Sequence, residues 1–144
     1  MLQIEDMSMQ EMQALLERIG FGHLGCAREG RPYVVPINYS YDPQCIYIFT
    51  TQGTKTDFMD ANPQVCLQVE EIEDPLRWRS VMVTGRAERI TSQEEQEHAM
   101  QLITLHNPTL TPAINATRID AWGRANNVVI YRINPDIIDG RKTV

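Results

Sequence analysis

Apolar and polar positions alternate along most of this chain, the period of a β-strand. "GHLGCAR" reaches a turn at Glu29-Gly30 and returns as "RPYVVPINYSY", and Asp42-Pro43 then turns the chain into "CIYIFTT". "QVCLQVEEI" and the longer "WRSVMVTGRAERI" read as two more strands, and "NVVIYRINPDIIDG" as a sixth strand with a tail. Within "WRSVMVTGRAERI", Val81, Val83 and Gly85 fall on one face, and Met82, Thr84 and Arg86 on the other. Two stretches change to a helical period. Ser8 and Glu11 stand at capping-box spacing ahead of "MQALLERIG", and Gly20 ends it, so a helix is predicted over about residues 9–19. Ser92 and Glu95 repeat the signal ahead of "QEEQEHAMQLITLH", predicting a second helix over about 93–105 that stops near Asn107-Pro108. Residues 107–127 are polar and weakly patterned.

Six strands joined mostly by turns, with few helices, predict a mainly β fold: an antiparallel β-barrel with helical additions. A doubly wound parallel sheet needs a helix between most strands, and the first three strands here are linked by turns alone. The chain has 144 residues, enough for one domain with a real core, and the expectation is a single domain over 1–144.

Charge narrows the partners. Thirteen Lys and Arg against nineteen Asp and Glu leave a net charge of −6, so no basic surface draws nucleic acid or an anionic membrane at long range. Any anion has to be caught by a local arrangement. No apolar run approaches the roughly 18 to 20 residues of a membrane span. The acidic, amphipathic start "MLQIEDMSMQEMQ" does not suit a signal peptide, and a cytoplasmic location is expected. Met7, Met9 and Met12 in that start read as residues facing the core or a dimer partner.

Cys26, Cys45 and Cys66 form no CxxC pair and read as small buried hydrophobes. His98 and His106 lie too far apart to share a metal across one helical turn, and His23 has no carboxylate cluster beside it, so no metal site is assigned. No GxSxG or cysteine–histidine pairing marks a nucleophile, and no catalytic residue is assigned. The informative stretch is "IFTTQGTKTDFMDANPQV", where an apolar strand ends in threonines, a glycine and a lysine at a helix start. Ile48 stands where a P-loop needs its first glycine, which excludes that motif. Two readings stay open from spacing alone. Gly53-Thr54-Lys55-Thr56 is a capped surface turn, or its N–H groups, the Thr54 and Thr56 hydroxyls and the Lys55 ammonium converge on one phosphate. Trp78-Arg79-Ser80 is likewise plain packing or the lining of a flat aromatic ligand.

Taken in order, "GRPYVVPINYSYD", "IYIFTTQGTKTDFMDANPQVCLQV" and "WRSVMVTGRAERI" resemble segments of the pyridoxamine 5′-phosphate oxidase-like proteins, the FMN-binding split β-barrels. The likeness is strongest to the nitroimidazole-resistance-type flavoprotein branch and covers roughly residues 10 to 105. It implies FMN as cofactor and a homodimer with FMN sites at the subunit interface. It implies contacts from Phe49, Thr50 and Thr51 to the ring and ribityl chain, from Gly53, Thr54 and Lys55 to the phosphate, and from Pro36, Ile37 and Asn38 beside the ring. Trp78, Arg79 and Ser80 resemble the segment that reaches FMN from the second subunit. Two positions depart from the family pattern: Phe49 stands where the resistance-type branch often carries histidine, and Thr54 where the oxidases carry arginine. The chain end "IIDGRKTV" also lacks the arginine-containing segment with which the true oxidases grip substrate, so oxidation of pyridoxamine 5′-phosphate is not expected.

The resemblance implies an oxidoreductase passing electrons through FMN to a small acceptor such as a nitro compound or another flavin. The alternatives are a non-catalytic flavin or haem carrier, a deazaflavin enzyme on the same barrel, and a barrel that only stabilises a partner.

Overall fold

The computed structural model of the protein describes residues 1–106 and 128–144. The polar segment 107–127, with the expected helix stop at Asn107-Pro108, lies outside the described residues. In chain order the elements are β1 (Ile4–Asp6), α1 (Met9–Ile19), β2 (Phe21–Arg28), β3 (Arg31–Asp42), β4 (Cys45–Thr51), α2 (Thr54–Ala61), β5 (Gln64–Asp74), β6 (Arg77–Arg89), α3 (Gln93–His106) and β7 (Val128–Thr143). All strand pairings are antiparallel, in the order β1-β7-β4-β3-β2-β5-β6, and a further β6–β7 ladder closes six of the strands into a barrel. The expected antiparallel barrel is the fold observed.

Local signals explain most of the boundaries. Ser8 Oγ accepts the Glu11 N–H while Glu11 Oε1 accepts the Ser8 N–H, and Gly20 ends α1 in the left-handed conformation at φ 74°. Glu29 and Gly30 both take positive φ, 52° and 77°, as the tight β2–β3 hairpin requires. At Asp42-Pro43 the Asp42 carboxylate accepts the Gln44 N–H and closes the β3–β4 turn. The second capping box is only half made. Ser92 Oγ accepts the Glu95 N–H, but the Glu95 carboxylate is drawn instead to Arg132 and Tyr47.

The sequence reading fell short at both chain ends. A short strand, β1, precedes α1 and pairs with the end of β7, Ile4 opposite Thr143. The expected tail after the sixth strand is itself strand as far as Thr143. Pro135 is accommodated there because the β6–β7 register shifts between Thr84 and Gly85. Gly85 permits that crossing, since a Cβ on it would lie 2.2 Å from the Asn134 carbonyl oxygen.

The barrel interior is one apolar cluster that includes Leu24, Ile46, Ile48, Leu67, Val69, Val81, Val83 and Ile133, with Met12, Leu15 and Leu16 of α1 packed into it. Val81, Val83 and Gly85 are buried while Met82 and Arg86 are exposed, as their alternation predicted. Met7 and Met12 are buried and Met9 is exposed. A second, smaller cluster lies under α3, where Cys45, Tyr47, Ile90, Ala99 and Ile130 pack with Phe49, Met100 and Leu102. Cys26 and Cys45 are buried, Cys66 is half-buried, and all three are free thiols.

One opening interrupts the wall. β3 pairs with β4 only from Tyr39 to Asp42, and its earlier residues, Arg31 to Asn38, pair with β2. β4 runs on past that ladder, so Phe49, Thr50 and Thr51 are held by β7 alone. The barrel therefore splits between Asn38 and Phe49, and the chain leaves β4 at the split to enter α2.

Candidate functional site

The split places the start of α2 beside the ends of β3 and β4. Alternation along β4 sends Ile48 and Thr50 inward, and Phe49 and Thr51 outward. Thr50 is buried and donates its hydroxyl to the Thr51 carbonyl, whereas Thr51 is exposed. Phe49 is half-buried against the cluster under α3 that includes Ala99 and Ile130. On β3, Pro36 is exposed, Asn38 is half-buried, and Ile37 points into the core with 5% exposure. Of these three, only Pro36 and Asn38 present side chains at the surface.

The turn itself has an unequal hydrogen-bond balance. The Gly53 carbonyl accepts the Asp57 N–H, which is the first helical bond. The N–H groups of Thr54, Lys55 and Thr56 come before that bond and have no helical partner. Gly53 has no side chain to accept one of them. Its φ of 176° is ordinary extended backbone, so conformation does not demand glycine there. A Cβ at Gly53 would meet nothing closer than 4.0 Å, the Thr51 carbonyl oxygen, so the space beside these donors is open. Thr56 corrects the sequence reading. It is fully buried, its Oγ accepts the Gly53 N–H and donates to the Gly53 carbonyl, both at 2.8 Å, and it is unavailable to a ligand. Thr56 holds the turn; Thr54 is exposed and Lys55 is half-buried.

Lys55 is one of two lysines in the chain. Lys142 pairs with Glu5 and Glu11, but Lys55 makes no ion pair among the described residues. Asp57, exposed, is the acidic residue of the same turn. Lys55 sits on the β2 side of α2: burial and Cys66 push the Cys26 thiol upward, and the Lys55 ammonium acts on it in the opposite sense. On that side α2 also rests its Phe58 ring against Tyr33, centroids 5.3 Å apart. Next to it, Gly25, Pro32, Val34, Cys66 and Thr84 line an open, mostly apolar groove of about 360 Å³.

On the opposite flank lies a cluster that sequence reasoning missed. Arg89 Nη2 donates to Gln52 Oε1 at 3.1 Å, Asp60 Oδ2 at 2.8 Å and the Tyr131 hydroxyl at 3.0 Å. The Tyr131 hydroxyl donates in turn to Asp60 Oδ1 at 2.7 Å, and the Arg89 guanidinium lies 5.4 Å from the Tyr131 ring centre. Burial first, and then the bond to Asp60, push the Tyr131 hydroxyl up to about 12. No local signal announces this group, because its members come from α2, β6, β7 and the turn before α2, with Asp60 and Tyr131 71 positions apart.

Trp78, Arg79 and Ser80 lie elsewhere. They open β6, where Trp78 is half-buried and donates its N–H to Thr143 Oγ1 at 3.1 Å. Ser80 Oγ accepts from Gln68, and Arg79 is exposed without an ion pair among the described residues. With Glu71, Glu73 and Arg77, Trp78 and Arg79 border a cavity of about 180 Å³, which Ser80 does not line. Arg89, at the α2 end, closes the same strand. At about 3.3 Å per residue the two ends are roughly 35 Å apart. One chain therefore brings together the 36–38, 49–51 and 53–55 residues and leaves 78–80 at the far end of the barrel.

Among the described residues no group of three or more His, Cys, Asp or Glu side chains could hold a metal ion. No helix there is long and apolar enough to cross a membrane.

The chain is similar to several known proteins. An uncharacterised protein of Rhizobium meliloti is 36% identical over 101 residues, covering 67% of each chain. Among solved structures, an FAD-binding protein from Mesorhizobium loti superposes with a TM-score of 0.79 at 30% identity, over 100% of this chain and 99% of that one. A Bacteroides thetaiotaomicron protein whose name links it to 5-nitroimidazole antibiotic resistance gives a TM-score of 0.79 at 22% identity, over 99% and 89%, a likeness of fold. Residues 8–142 match the pyridoxamine 5′-phosphate oxidase family, and the chain belongs to that family.

Proposed function

We propose that this protein is a flavoprotein in which the N-terminus of α2 holds the phosphate of FMN, or of the FMN half of FAD, and which passes electrons to a small acceptor. The observation that carries the reading is the open start of α2 at the split: among the described residues its first N–H groups have no partner and Lys55 no ion pair, and there is room where a Cβ would stand. A helix N-terminus favours an anion through its free donors and its dipole, and Lys55 adds a full charge in an otherwise acidic chain. The name of the Mesorhizobium loti relative points to the same cofactor class.

A bound flavin supplies the redox chemistry. The chain's own part is binding and orientation. Thr54, Lys55 and the N–H groups of the turn take the phosphate, while Thr51, Asn38 and Pro36 line the split where the rest of the cofactor lies. Thr50 and Ile37 support that surface from within. Phe49 offers no proton and packs against α3, while Asp60, Tyr131 and Arg89 are engaged with one another. That arrangement suits hydride or electron transfer to an acceptor better than a reaction requiring positioned proton removal.

Placement supports a second subunit. Trp78, Arg79 and Ser80 open β6 while Arg89, which holds α2, closes it, so contacts from 78–80 to a flavin at Lys55 are assigned to a second copy. The outer face of β2, β3, β5 and β6 suits one. No helix among the described residues covers the groove beside Gly25 and Cys66, and Val34 in it and Phe21 and Met82 on the same face are exposed. We place the homodimer contact there, and the protein in the cytoplasm.

The absorption spectrum of the purified protein, followed by addition of NADH or NADPH, tests the reading. Flavin absorption that bleaches on reduction and recovers with a nitro compound or free flavin is expected. A Soret band would replace the reading with haem carriage. A flavin spectrum that neither nucleotide bleaches would move the protein from enzyme to carrier.

A further inference from the structure

An eight-residue helix is too short to hold its own position in water, and α2 is poorly provisioned for it. Its last turn has no basic residue and carries Asp60, whose charge opposes the helix dipole there. The placement of α2, and of the turn that begins it, therefore depends on what grips it from outside. Phe58 and Met59 pack it on one side. On the other, a single guanidinium nitrogen of Arg89 binds both ends of the segment at once: Gln52, immediately before Gly53, and Asp60, in the last helical turn. Tyr131 fixes that guanidinium from below, by ring contact and by hydroxyl, and bonds Asp60 itself. The clamp and the buried Thr56 hydroxyl hold the segment at Gln52, Gly53 and Asp60. Thr54 and Lys55 lie between these held positions.

We propose that Arg89, with Asp60, Tyr131 and Gln52, forms a positioning clamp that sets the phosphate-binding geometry of the Gly53–Lys55 turn. The inference rests on the phosphate reading of that turn. Arg89 does not touch the cofactor in this scheme. It acts through Gln52 and α2, and the selectivity it confers is for a phosphorylated flavin over a dephosphorylated one.

The test compares FMN with riboflavin, which lacks only the phosphate. The full-length chain, freed of flavin, is titrated with each by quenching of flavin fluorescence. Arg89→Met and the milder Gln52→Ala are measured beside Lys55→Ala. Misplacing the donors by a fraction of an ångström should weaken FMN about 10-fold in Arg89→Met and about 3-fold in Gln52→Ala, with riboflavin changed less than about 2-fold. Arg89→Lys, which keeps a cation for Asp60 but loses the flat guanidinium over the Tyr131 ring, should fall between wild type and Arg89→Met. Equal losses for both flavins would show a merely structural role and overturn the proposal. An unchanged ratio in Arg89→Met and Gln52→Ala, with Lys55→Ala selective against FMN, would overturn the clamp and leave the phosphate reading standing. An unchanged ratio in Lys55→Ala would overturn the phosphate reading and the clamp with it.

Discussion

The starts of α1 and α2 end in opposite states. At α1, Ser8 and Glu11 satisfy each other, and Lys142 reaches in from β7 to pair with Glu11, so the turn is neutralised and closed. At α2 the cap is a glycine, the N3 threonine turns inward to hold the glycine, and the lysine meets no carboxylate among the described residues. The acidic residue of that turn, Asp57, is exposed and makes no ion pair with Lys55 among the described residues. A helix end that the fold itself completes is architecture. One left open, with a cation beside it, is a place for an anion from outside.

That contrast can be broken from either side. The largest effect expected is on ligand binding at α2: Lys55→Ala should cost about 1.5 to 3 kcal/mol of FMN affinity, the usual range for a charge-assisted contact. Its thermal midpoint should hardly move, because no partner in the fold is lost. Calorimetric titration showing unchanged FMN affinity would make the two helix starts equivalent after all. Next comes Ser8→Ala, which should lower stability by about 1 kcal/mol, seen in the urea midpoint, while flavin affinity stays as it was. A loss of flavin affinity there would mean that α1 also belongs to the site.

The smallest effect is a pH dependence confined to α1. The hydrogen bond from Lys142, and then the Ser8 N–H, hold the Glu11 carboxyl down to about 2, against 4.5 for an unperturbed glutamate. A carboxyl depressed in the folded state stabilises the fold above its unfolded value, and that contribution is lost as pH falls through the folded value. Wild type should therefore lose part of its advantage over Glu11→Gln between about pH 4.5 and 2, and keep it at neutral pH. Urea midpoints for the two proteins that stay parallel across that window would show the Lys142 contact to be inert.

Much of this molecule is legible locally. Period-two alternation located the strands, and it placed Val81 and Val83 inside and Met82 outside. A serine and a glutamate three apart began α1, and Gly20 ended it, because caps are made within one turn of the chain. The chemistry of "TTQGTKT" was legible as two readings only. Its residue types allow a phosphate, but whether their donors stay free depends on neighbours that the stretch does not contain. The same limit applied to Thr56, which spacing offered as a ligand and packing turned inward.

What the sequence by itself determined, then, is six of the seven strands, the two capped helices and the presence of a lone lysine at a helix start. These follow from periodicities and hydrogen bonds spanning a few residues. The tertiary structure alone decided which strands pair, that β6 and β7 close the barrel, and that β3 and β4 part beyond Tyr39 to leave the split. It also decided that Arg89 and Tyr131 arrive beside α2, and that Trp78 stands at the far end from Lys55. Such partners are chosen by burial of a shared core across tens of residues, a choice no short window of the chain records.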